Sequence, residues 1–222
     1  VEKAYKETVP VCIHLDHGSR FEQESLAIPS GFTSVMLDGS TLSFDENAAL
    51  CKQVVHAAHA VNVSVEGELG TIGSTDAQAE AGTNSIIYTN PDDAEKFVAQ
   101  TDVDSLAIAI GTSHGLYPAG MKPKLKLDLL KEIKAKVSVP LVLHGGSNNP
   151  DEEIGKSVVL GINKINISSD IKAAYYTKMR EVLTDLSLRE PNCIQPPCVA
   201  AMKETAYHKI VLFQADGKAD LY

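Results

Sequence analysis

The chain has 222 residues, 44% of them hydrophobic and 22% charged, which suffices for one large core. Its formal net charge of −9 argues against a nucleic-acid partner, because phosphate backbones call for a basic surface. No run approaches the roughly 18 apolar residues of a membrane span, and nothing at the start reads as a signal peptide.

Residues 1–9 read as the end of a helix running toward Pro10. The apolar run over 11–15 is a buried strand that stops abruptly at Asp16, His17 and Gly18. A helix over 20–28 follows, which Pro29 should end at or before Ile28. Residues 32–38 form a second strand ending in Asp38, and Ser43 with Glu46 makes a capping box that opens a helix to about Ala60. The third strand, 63–69, points Glu66 and Glu68 to one side by its period of two. Residues 70–88 lack apolar periodicity, and a loop of that length in a compact domain is often a lid.

Asn90 and Pro91 begin a helix to about Gln100, and a fourth strand spans 105–111. A helix over 125–136 leads to a fifth strand over 140–145, which carries His144. Asn149 caps a helix to about Leu160, and the sixth strand is 164–169. Helices over 170–186 and about 199–213 complete the chain. Cys12 and Cys51 read as inert core thiols, while the spacing of Cys193 and Cys198 suits a disulfide or half a zinc site that lacks its second pair. This cysteine usage fits a reducing cytoplasm.

Strands alternate with helices six times and none follows another directly, which implies parallel strands joined by right-handed crossovers. Polar residues stand at the ends of all six strands rather than at one switch point. The expected fold is therefore α/β, a single (β/α)8 TIM-barrel domain over residues 1–222 whose first two βα units, roughly 60 residues, would precede Val1. An open six-stranded sheet is the alternative.

In a barrel the strand tips converge on one mouth, bringing together Asp16, His17, Asp38, Glu68, His114, His144, Asn166, Ser168 and Ser169. One such histidine alone would be an ordinary core imidazole. Three at equivalent tips, each followed by glycine, point to a zinc site of His17, His114 and His144 with an open fourth position. Asp38 and Glu68 either orient those imidazoles or form a second metal position. Strict strand alternation would keep Asp16 and His17 from both facing the mouth unless the strand end twists, and His14 reads as a packing or orienting residue. Gly145, Gly146 and Ser147, with Asn166, Ile167, Ser168 and Ser169, occupy the usual phosphate position of this fold. A zinc ion can polarise a ketone beside a breaking C–C bond, and Asp16 is the candidate base for the hydroxyl across that bond.

The stretches His-Leu-Asp-His-Gly (14–18), Phe-Thr-Ser-Val-Met-Leu-Asp (32–38), Val-Ser-Val-Glu-Gly-Glu-Leu-Gly (63–70), Ala-Ile-Gly-Thr-Ser-His-Gly (109–115), Leu-Val-Leu-His-Gly-Gly-Ser (141–147) and Lys-Ile-Asn-Ile (164–167) together resemble the class II, zinc-dependent ketose-bisphosphate aldolases. The resemblance implies reversible cleavage of fructose or tagatose 1,6-bisphosphate to dihydroxyacetone phosphate and glyceraldehyde 3-phosphate. It implies Asp16 as proton donor and acceptor at the C4 hydroxyl, and His17, His114 and His144 as zinc ligands. Gly115 would join Gly145, Gly146, Ser147 and residues 166–169 around the dihydroxyacetone-phosphate half. A monovalent cation (Na+ or K+), a cytoplasmic homodimer or homotetramer and a mobile loop at 70–88 are further implications.

The chain departs from the family pattern at Ser74, Gly39, Asn148-Asn149 and Pro29, and in lacking the first two units. Two other functions compete. A metal-dependent barrel hydrolase usually shows two histidines one residue apart on its first strand, whereas His14 and His17 are separated by two. A non-catalytic phosphosugar-binding barrel would bind without turnover. Schiff-base chemistry lacks a well-placed lysine, Lys164 standing at the start of a strand.

Overall fold

The computed structural model describes residues 2–75, 85–118, 120–121 and 123–221. Its strands are β1 (His14–Gly18), β2 (Ser34–Leu37), β3 (Ser64–Leu69), β4 (Gly73–Ser74), β5 (Ser105–Ile108), β6 (Ser113–His114), β7 (Leu141–Leu143) and β8 (Ile162–Ile165). The helices are α1 (Phe21–Ala27), α2 (Phe44–His59), α3 (Pro91–Thr101), α4 (Leu127–Lys136), α5 (Asp151–Val159), α6 (Ser169–Val182) and α7 (Pro191–Leu212). Local chemistry fixes many of these ends. The Ser43 side chain accepts from the Glu46 amide and the Glu46 side chain accepts from the Ser43 amide, closing the expected capping box. Asn90 accepts from the amides of Asp92 and Asp93 to start α3, and α1 stops at Ala27, tightening into a 3-10 turn over Ile28–Ser30 that contains Pro29.

Six strands form one parallel sheet in the order β1-β2-β3-β5-β7-β8. The order follows the chain without reversal, so the sheet has no switch point. Flat, its two edges would lie five strand spacings apart, roughly 24 Å at about 4.8 Å each. Yet the Asn166 side chain, one residue past β8, donates to Asp16 on β1 at 3.1 Å. The sheet is therefore curled, and this curl brings its first and last strands to one mouth.

Alternation along each strand separates two apolar sets. Val35, Leu37, Leu106, Ile108, Leu141 and Leu143 belong to the main core, which includes Val54, Phe97, Leu130 and Ile133 from the surrounding helices. Met36, Ala107 and Val142 form a smaller cluster on the other face. Register places Glu66 beside Met36 and Lys164 beside Val142, so both charged side chains belong to that inner face.

Several elements differ from expectation. β4 and β6 form a separate two-stranded parallel sheet, Gly73 opposite Ser113 and Ser74 opposite His114, so strands do follow strands directly at two places. These two-residue strands are too short to give a periodic signal. β8 starts two residues before Lys164, because Gly161 at φ 120° turns the chain straight out of α5. α7 begins at Pro191 rather than near 199, with Pro196 and Pro197 inside it. Proline's fixed φ is compatible with a helix even though each one forgoes a backbone bond. The N-terminal helical signal yields only a 3-10 turn at Ala4–Lys6. Of the expected 70–88 lid, residues 76–84 lie outside the described residues, while Thr71 pairs with Ile87 across its base.

Behind β1 sits a buried acid. Glu24 on α1 is 1% exposed, and a Cβ on Gly18 would lie 1.8 Å from its Oε1, so only glycine admits the close approach. Burial raises the Glu24 carboxyl to about 7 and, with Glu24 nearby, the Cys51 thiol to about 12. A carboxyl raised in the folded state contributes stability that is complete below its unfolded value near 4.5 and lost as pH rises through 7. Glu24→Gln, which stays neutral, should therefore be the more stable form above pH 8 by about 3 kcal/mol. Denaturant titrations at low and high pH check this, and parallel curves for the two proteins would refute it.

Candidate active site

The β1 tip resolves the alternation problem. His17 adopts φ 52° and the β1–β2 register shifts between Leu15 and Gly18, so the strand twists at its end. Asp16 and His17 consequently reach the same cleft, a cavity of about 280 Å³ whose walls also include His14, His114, Gly115, Gly145, Ser147, Lys164 and residues 166–169. A larger groove of about 1110 Å³ lies over α4, α5 and α7 and shares no lining residue with it.

One nitrogen each from His17, His114 and His144 lies within 4.8 Å of the others, and the ring centroids are 4.6–6.1 Å apart. Outer partners set the tautomers of two rings. Asp38 can only accept, so His17 Nδ1–H donates to it at 2.9 Å; likewise His144 Nε2–H donates to Glu66 at 2.8 Å. The remaining nitrogens, His17 Nε2 and His144 Nδ1, then face each other as lone pairs at 2.9 Å. Two lone pairs so placed demand a proton or a metal cation between them, and with His114 beside them the donor set suits a divalent metal.

The carboxylates divide into two kinds. Burial pushes Asp38 up, but His17 and the Ser40 amide and hydroxyl outweigh it and hold the group at about 2. Burial likewise opposes ionisation of Glu66, yet His144 and Lys164 hold it at about 2. Glu68 is raised well above the usual range by burial and then by the carboxylates of Asp38, Glu66 and Asp16. His17 is pulled down by burial but raised on balance by Asp38 and neighbouring acids, whereas burial and Lys164 lower His14. His17, Asp38 and Glu68 form a second cluster within ligating range, in an adjoining cavity shared with His114. Asp38 thus sits where it can serve either of the two roles expected of it.

On the opposite wall, Asn166 donates to both Asp16 oxygens at 3.1 and 3.2 Å and aims the carboxylate into the cleft. Ser147 Oγ accepts from the amides of Ser168 and Asp170, joining the loop after β7 to the start of α6. Gly145, at φ 64°, passes so close that a Cβ would meet the Ser113 carbonyl at 2.7 Å. Gly146 does not line the cleft; its amide donates to the Asn166 carbonyl, and a Cβ would strike Ile165 at 2.4 Å. Its part is to let the two loops touch.

Two residues escaped the sequence reading. Glu66 carries the His144 contact, and its only sequence signal is a pair of acids two apart in an apolar strand. Lys164 reads from the sequence only as the start of a strand, yet its Nζ donates to Glu66 at 2.8 Å, lies 3.4 Å from His14 Nε2 and lines the cleft.

Comparison with known proteins places the chain beside a set of aldolases. A family profile described as fructose-bisphosphate aldolase class-II matches residues 1–218. A fructose-bisphosphate aldolase of Geobacillus stearothermophilus is 42% identical over 213 residues, covering 96% of this chain and 73% of that protein. The crystal structure of the YdjI aldolase of Escherichia coli K12 superposes with a TM-score of 0.83 at 37% identity, over 99% of this chain and 74% of that one. The fructose-bisphosphate aldolase of Campylobacter jejuni gives 0.73 at 25% identity, over 96% and 72%.

Proposed function

The chain belongs to the class-II fructose-bisphosphate aldolase family, a family of lyases, and from that we infer that it cleaves a ketose 1,6-bisphosphate by a metal-dependent retro-aldol reaction. The observation that carries the reading is the trio of imidazoles with its outer carboxylates, opposite a carboxylate aimed by Asn166. His17, His114 and His144 would hold the ion, and zinc suits three neutral nitrogens best. When bound, it supplies a Lewis acid that polarises the substrate ketone.

The chain's own residues do the rest. Asp38 and Glu66 keep His17 and His144 in the tautomers that present Nε2 and Nδ1 inward. Asp16 takes the hydroxyl proton as the C–C bond breaks and returns it in the aldol direction, and Asn166 fixes its orientation. Gly115, Gly145, Ser147 and residues 166–169 hold the phosphate of the dihydroxyacetone half with hydroxyl and amide donors, without a net basic surface. Lys164 adds one positive charge at that wall.

The six βα units are read as part of an eightfold barrel. A monovalent cation near the phosphate and a homodimer or homotetramer belong to the same reading. All four cysteines are free, which suits a cytoplasmic setting, and no helix among the described residues is long and apolar enough to cross a membrane. A coupled assay of the zinc-loaded protein, comparing fructose and tagatose 1,6-bisphosphates, tests the proposal. Triose phosphate should be released from at least one of them, and borohydride with substrate should trap no Lys164 adduct. Binding of triose phosphates without turnover, or a trapped lysine, would overturn it.

A further inference from the structure

A buried lysine outside the metal cluster joins the phosphate wall from behind. Lys209 lies on α7, a helix that contributes nothing to the cleft, and is 9% exposed. Its Nζ is 2.9 Å from Asp170 Oδ2 and 4.0 Å from Asp151 Oδ1. Asp170 Oδ1 accepts the Asn148 amide at 3.0 Å, and the Asp170 amide donates to Ser147 Oγ at 3.2 Å. The series runs on: the Tyr117 amide donates to Asn148 Oδ1 at 2.8 Å, and the Ser113 amide to the Tyr117 hydroxyl at 2.7 Å. One strut therefore leads from α7 through the β7 loop to β6, which carries His114.

We propose that Lys209 is a positioning residue for phosphate binding, acting through Asp170; this rests on reading residues 145–147 and 166–169 as a phosphate cradle. A carboxylate adjoining the Ser147–Ser169 wall would repel a phosphate dianion across a poorly screened distance. The ammonium on its far side cancels that charge while holding the carboxylate where it can accept the Asn148 amide. Burying a lysine there without a partner would be costly, so each group requires the other.

A purely structural ion pair would make either single loss equally harmful and would change stability alone. The positioning role is asymmetric: Lys209→Met leaves a bare negative charge beside the cradle, whereas Lys209→Met with Asp170→Asn leaves none. In the full, zinc-loaded chain, Lys209→Met should weaken inorganic phosphate binding in calorimetry by about tenfold or more. KM for fructose 1,6-bisphosphate should rise in parallel while kcat falls by less than about threefold. The double variant should regain most of the phosphate affinity without regaining thermal stability, and Lys209→Arg should keep both. Lys209→Gln replaces Lys209→Met, with the same expectation, where the latter does not fold. Unchanged phosphate affinity in the single variant, or a double variant no better than the single, overturns the proposal. A wild type that binds phosphate but cleaves no sugar bisphosphate would sink the aldolase reading alone, because the phosphate series still decides on Lys209.

Discussion

Asp16→Ala is expected to lower kcat by about 10²–10⁴-fold, the usual worth of a general acid–base, at unchanged metal content. The Asp16 side chain is 47% exposed toward the cleft and contacts Asn166 rather than belonging to either cluster of ligating groups. Its removal takes away the proton acceptor while Glu66 and Asp38 still orient His144 and His17. Steady-state cleavage measured beside elemental analysis of the same sample separates the two effects. Turnover near that of the wild type would remove Asp16 from the mechanism, and a loss of bound zinc would mean that it serves the metal instead.

His144→Ala should also cost heavily, because it removes a ligand and breaks three contacts at once. The ring is wholly buried, donates to Glu66, faces His17 and lies 3.3 Å from the Asn166 amide nitrogen. Lewis-acid stabilisation worth several kcal/mol, at about 1.4 kcal/mol per tenfold, corresponds to a loss of at least about 10³-fold in kcat/KM. EDTA should inactivate the wild type to the same depth, and added zinc should restore the wild type but not the variant. Chelation leaves the fold's side chains in place, so it discriminates a metal effect from misfolding. Full activity after exhaustive chelation would end the metal-dependent reading.

What could be read from the sequence were features written in neighbouring residues. The Ser43–Glu46 box and the Asn90 cap need only a few positions, and the three His-Gly pairs are plain in the chain, although His114 stands on β6, six residues past β5, and not at the tip of a main-sheet strand. Contacts between distant strands left weaker traces. The twist at His17 depends on a register shift against β2, which no property of residues 14–18 announces. Lys164 reads as the start of the last strand, whereas β8 begins two residues earlier, and the inward direction of the lysine follows from its pairing with Val142. Gly-Gly-Ser groups Gly146 with the phosphate residues and does not reveal that its amide donates to the Asn166 carbonyl.

Asp16 on the opening strand and Asn166 just past the closing one, joined across the mouth, are 150 positions apart. The carboxylate is therefore unguided until residue 166 has been made and the far edge has wrapped round. A chain this rich in distant pairings should fold slowly, and compact early species, with much of their helix already formed, should be catalytically silent. Recovery of activity after dilution from denaturant should accordingly lag behind recovery of helical signal.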